Sequence, residues 1–126
     1  MKLLVDTRLL VWWVAGRRLP REAAALIADP GNEVFASAAS IWELAIKSGL
    51  GRIDVDPGEL LRSLETGGFA SLPVTNRHAL AVATLPAIHG DLFDRLLVAQ
   101  SKVEGMSLLT HDRILSAYGA LVVRGA

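Results

Sequence analysis

The stretch "LLVDTRLLVWWV", Leu3–Val14, sets an aspartate between two apolar runs. The first run is short and continuous, as expected of a strand buried on both faces. The second is longer and reads as a helix carrying Trp12. Asp6 therefore stands at the carboxyl end of a first strand, the edge where ligands gather in open α/β sheets. A charged side chain is rarely buried unless it is paired or holds a cation. Asp6 is thus either a cap on the next segment or part of a site, and the rest of the chain must separate the two.

Outward from this stretch the same short apolar runs recur. They are Val34–Ala36, Leu72–Val74 (entering from Phe69), Leu108–Leu109 and Leu121–Val123. Helical patterns lie between them. "PREAAALIA" begins with Pro20, suited to a first turn, and stops before "DPGN". "SIWELAIKSG" places Lys47 in its last turn and Gly49 just after it, a C-terminal signal. "PGELLRSLETGG", "RHALAVATLP" and "DLFDRLLVAQSKVEG" also read as helices, and "DRILSAYG" as a short last one. Strands alternating with helices predict an α/β domain with a mainly parallel sheet over residues 1–126. No linker, repeat or low-complexity tract interrupts the pattern. Strand order does not follow from it.

The totals narrow the class. A chain of 126 residues that is 52% apolar can build one real core and is not disordered. There is no cysteine, hence no disulfide framework, thiolate site or cysteine nucleophile. The opening "MKLL" resembles the start of a signal peptide, but Asp6 and Arg8 break the apolar stretch too early. No apolar run approaches the ~18 residues needed to span a membrane. A cytoplasmic protein with no membrane partner is expected. Thirteen basic residues balance thirteen acidic ones, which argues against a general polyanion sponge and favours association with partners or with itself.

The acids then gather on one edge. Asp6 ends the first strand, and Asp112 in "LLTHDR" follows the fourth. Glu43 lies in the helix after the second strand, and Asp91 and Asp94 open the helix before the fourth. Each has a purely structural role available. Asp6 or Thr7 fits an N-cap, "SIWE" fits a capping box, and Glu43 can pair with Lys47 at i, i+4. Asp91 fits an N-cap with Asp94 in the first turn, and Asp112 or Thr110 fits a cap of the last helix. Together, several carboxylates aimed at one small edge repel one another. Either some stay protonated or a cation sits among them. Oxygen ligands suit Mg²⁺ or Mn²⁺, which can activate water for attack on a phosphodiester.

Other chemistries find less support. There is no Walker-type phosphate loop, no GxGxxG after the first strand and no GxSxG elbow. A phosphotransfer aspartate calls for a second acid beside Asp6, and "VDTR" lacks one. The three histidines, His78, His89 and His111, show no metal spacing. His78 and His89 read as solvated; His111 adjoins Asp112 without a clear role.

"LLVDTRLLVWW", "ASAASIWELAIKSGLGRI", "GDLFDRLLVAQ" and "LLTHDR", in this order and spacing, resemble the PIN-domain ribonucleases, and within them the VapC-type toxins of bacterial toxin–antitoxin pairs. The resemblance spans nearly the whole chain. It implies a three-layer α/β/α sandwich and an acidic site that binds Mg²⁺ or Mn²⁺. It also implies endonucleolytic cleavage of structured RNA. Carried over residue by residue, Asp6, Glu43, Asp94 and Asp112 match the family's acids, with Asp6, Asp94 and Asp112 as metal ligands. Thr7, Thr110, Lys47 and Asp91 are supporting residues. The resemblance further implies a VapB-type antitoxin partner and a homodimer. One residue departs: members with the "WW" and "WELAIK" motifs usually carry histidine where Arg8 stands.

For RNA phosphate, Arg8, Arg17, Arg18 and Arg52 are the candidate contacts. Trp12 and Trp13 fit either a core or a partner surface. The reading from sequence is a metal-dependent endoribonuclease toxin whose products carry 5′-phosphate and 3′-hydroxyl ends. Its rival is a PIN-fold binding module, weak or inactive because Arg8 pairs with a site acid.

Overall fold

The computed structural model describes residues 1–123; the last three residues of the expected domain lie outside the described residues. Five strands form one sheet: β1 (Lys2–Val5), β2 (Glu33–Ser37), β3 (Ala70–Leu72), β4 (Ser107–Thr110) and β5 (Leu121–Val122). The order is β3-β2-β1-β4-β5, and every pairing is parallel. The chain steps outward from β1 to β2 and β3, then returns to lay β4 on the other side of β1. The reversal point is therefore the crevice between the carboxyl ends of β1 and β4, the position where open α/β sheets bind ligands.

The helices are α1 (Thr7–Val14), α2 (Arg21–Ala28), α3 (Ala38–Gly49), α4 (Pro57–Thr66), α5 (Asn76–Ala81) and α6 (Leu92–Glu104). Neighbouring residues of a strand point to opposite faces, and this divides the core in two. Val5, Ala36 and Leu109 pack with Leu9, Leu10, Leu44, Leu60 and Leu64 on one face. Leu4, Leu72 and Leu108 pack with Leu97, Val98, Leu115 and Tyr118 on the other. The sheet is thus the middle layer of an α/β/α sandwich. No helix among the described residues is long and apolar enough to cross a membrane.

Several local expectations change. "SIWE" forms no capping box: α3 begins earlier, and Ser37 is its N-cap, accepting the Ala39 N–H at 3.0 Å. Ser37 prevails because its hydroxyl also donates to Gln100 on α6 at 2.6 Å, a bond invisible to local pattern. Ser40 instead accepts from the Thr7 hydroxyl at 2.9 Å. "RHALAVATLP" is divided, with α5 stopping at Ala81 before a 3₁₀ turn, and "DRILSAYG" holds a 3₁₀ helix, Arg113–Tyr118. β3 and β5 are sheet edges and are not buried on both faces, as β1 is. His78 is fully buried rather than solvated. Its Nδ1 accepts the Thr75 N–H at 3.0 Å, and its Nε2 lies 2.8 Å from Glu104.

Candidate active site

Asp6 leaves β1 in extended conformation, and its Oδ1 accepts the Leu9 N–H at 3.0 Å, so it does cap α1. Its Oδ2 accepts a very short hydrogen bond from the Thr110 hydroxyl at the end of β4. The cap role and the site role are therefore not alternatives: the cap aims a carboxylate into the crevice. Burial pushes the Asp6 carboxyl above its ordinary pKa, against the pull of Thr110, the Leu9 N–H and the nearby Arg8 charge.

Thr110 ties a second acid to the first. Its oxygen also accepts the Asp112 N–H at 3.0 Å. Asp112 in turn caps the 3₁₀ helix, with Oδ1 accepting the Ile114 N–H at 3.0 Å. Across the crevice Asp91 caps α6 by accepting the Asp94 N–H at 2.9 Å, which sets Asp94 in the first turn. Burial raises the Asp94 carboxyl as well. A hydrogen bond from His89 opposes this, and the Asp91 and Asp6 charges add to it.

Glu43 approaches from α3 and is buried at 6% exposure. Lys47, one turn on, donates to Oε2 at 2.6 Å. Oε1 is buried without any hydrogen-bond partner among the described residues. Such an atom normally costs about 1–3 kcal/mol, more when charged, so this oxygen calls for a ligand.

One cleft of about 240 Å³ brings together Asp6, Thr7, Arg8, Glu43, Lys47, Asp91, Asp94 and Asp112. Arg8 is exposed and forms no ion pair among the described residues. Arg17, Arg18 and Arg52 do not line this cleft; Arg17 lies over the Trp12 ring at 4.8 Å. Sequence reasoning missed the cleft's other wall, which includes Val11, Trp12, Ile53 and His111. Trp12 meets the His111 ring edge-on at 5.5 Å. It also missed His89, whose Nε2 lies 2.9 Å from Asp94 Oδ2. The available signal was position: a loop at the ligand edge, five residues before a site acid.

The donor set fits a hard divalent cation. It consists mainly of carboxylate oxygens, burial pushes the Asp6 and Asp94 carboxyls upward, with the Asp91 and Asp6 charges adding to the effect at Asp94, and one buried oxygen has no donor among the described residues. His89, Asp94 and Asp112 each offer a ligand atom within 4.8 Å of one another.

Solved structures share the fold. VapBC2 from Rickettsia felis, bound to a DNA fragment from its promoter, superposes with a TM-score of 0.72 at 12% identity, with 100% of each chain covered. FitAcB from Neisseria gonorrhoeae gives 0.64 at 21% identity, covering 97% of this chain and 96% of that one. VapBC-5 from Mycobacterium tuberculosis, of the VapBC family of toxin–antitoxin systems, gives 0.64 at 19% identity, with 98% of each covered. No curated protein matches the chain in sequence. The family model of the PIN domain matches residues 3–121, a span that includes all five acids of the cleft, and the chain belongs to the PIN domain family.

Proposed function

We propose that this PIN domain is a divalent-metal-dependent endoribonuclease, the toxin of a toxin–antitoxin pair, acting on structured cellular RNA. The observation that carries the reading is the buried Oε1 of Glu43, without a hydrogen-bond partner among the described residues, beside Asp6, Asp94 and Asp112. Asp6, Asp94 and Asp112 would hold Mg²⁺ or Mn²⁺. The bound cation supplies Lewis acidity, neutralising phosphate charge and acidifying water. The chain's own residues do the rest. Thr110 fixes the rotation of Asp6 through their hydrogen bond. Lys47 neutralises one Glu43 oxygen and leaves Oε1 to receive a proton from the attacking water. Arg8, exposed at the cleft, meets an RNA phosphate, while Thr7 and Asp91 shape the wall. Arg17, Arg18 and Arg52 lie outside the cleft and contact only flanking RNA.

A VapB-type antitoxin belongs to the same reading, supported by the shared fold of the VapBC and FitAcB chains. An arginine or lysine of such a partner suits an acidic cleft. A homodimer belongs to it too, and the exposed Trp42, Leu50 and Leu92 offer apolar surface. Product ends test the chemistry. Attack by water in line at phosphorus leaves 5′-phosphate and 3′-hydroxyl ends; 2′,3′-cyclic phosphate ends would contradict the proposal.

A further inference from the structure

His89 belongs to none of the sequence motifs, yet its ring reaches the acid cleft. Its side chain is 20% exposed, and Nε2 lies 2.9 Å from Asp94 Oδ2. An ionised carboxylate only accepts, so Nε2 carries the hydrogen and donates it. The loop that carries this imidazole is clamped from below. The His89 N–H donates to the Tyr118 hydroxyl at 3.1 Å, and that hydroxyl donates to the Pro86 carbonyl at 3.0 Å. Arg95 donates to the same carbonyl at 2.9 Å, to the Tyr118 hydroxyl at 3.1 Å and to the Val82 carbonyl at 3.2 Å. The hydroxyl thus donates once and accepts twice, its full capacity.

The two clamping residues come from the acid-bearing segments themselves. Arg95 follows Asp94 on α6, and Tyr118 ends the 3₁₀ helix capped by Asp112. A loop held this firmly presents its imidazole in a fixed place. The Asp94 carboxylate receives its one hydrogen bond among the described residues from that ring. We propose that His89 is a positioning residue for Asp94, fixing the carboxylate so that its other oxygen meets a divalent cation in the cleft. The inference rests on the metal-site reading above.

The test is Mn²⁺ binding to the whole chain, by titration calorimetry and by pulsed electron paramagnetic resonance. His89→Leu should weaken Mn²⁺ binding roughly 10–100-fold, the usual effect of losing a partner that orients a ligand. His89→Gln keeps an N–H donor and should recover most of the affinity. Tyr118→Phe keeps the ring in the core and removes the hydroxyl that holds the His89 N–H, leaving the Arg95 bonds to Pro86 and Val82, so it should weaken Mn²⁺ binding several-fold even if His89→Leu fails to fold. Wild-type spectra should show no directly coordinated nitrogen. Unchanged affinity in His89→Leu would overturn the proposal. So would a nitrogen coupling lost in that variant, which would make the imidazole a ligand. A wild-type chain that binds no Mn²⁺ would instead bring down the metal-site reading itself.

Discussion

Asp6 shows how one side chain can cap a helix and line a candidate site together. Its carboxyl, like that of Asp94, is held above the ordinary 3.8 by burial. Between that value and the raised one, the folded chain binds more protons than the unfolded chain, so stability falls as pH rises through the window. Below 3.8 the penalty is absent; above the raised value it is fully present. Asp6→Asn keeps an N-cap side chain and removes the buried charge. The variant should therefore melt above wild type at neutral pH in chelator, by roughly 4 °C for each kcal/mol recovered. The gap should close on acidification. Thermal scans from pH 3 to 8 would show it, and a variant melting lower throughout would contradict it. At this scale the sequence was informative about acids, because strand ends and cap positions are local. It was uninformative about His89 and His78, whose partners Asp94, Tyr118 and Glu104 are set by tertiary contacts.

At the scale of elements, helix starts were legible where one residue decides them, as at Asp91. They were misread where two candidates compete, as at Ser37 and Ser40, because the bond from Ser37 to Gln100 crosses between elements. Close packing of α1 on α4 is similarly hidden. Gly67 ends α4, and a Cβ there would lie 2.1 Å from Cη2 of Trp13. That indole is itself fixed edge-on against Phe69, with ring centroids 4.9 Å apart. Gly67→Ala should therefore cost about 1–3 kcal/mol through overpacking. Chemical denaturation would measure it; a change below about 0.5 kcal/mol would show that the indole can move aside. Trp13 is thus held between elements, whereas Trp12 faces the cleft.

For the whole molecule, the alternation of strands and helices was enough to predict a parallel α/β sheet, but not the β3-β2-β1-β4-β5 order. Order depends on which crossovers reverse direction, and no local residue encodes that. The order matters for function because it opens the crevice between β1 and β4, where the Thr110 hydroxyl joins Asp6. Five acids could be placed along one edge from sequence since each sits at a strand end or in an adjoining helix, and the family resemblance singled out four of them; the buried Glu43 oxygen without a partner among the described residues could not be foreseen. The central claim is that this constellation cleaves RNA with a divalent metal. The most direct measurement incubates purified protein with total tRNA and ribosomal RNA, with Mn²⁺ or Mg²⁺, with chelator, and beside an Asp94→Asn preparation made identically. The account predicts discrete fragments that require metal and are absent with the variant. Fragments that persist in chelator or with Asp94→Asn, or no cleavage of either RNA by metal-loaded protein, would contradict it.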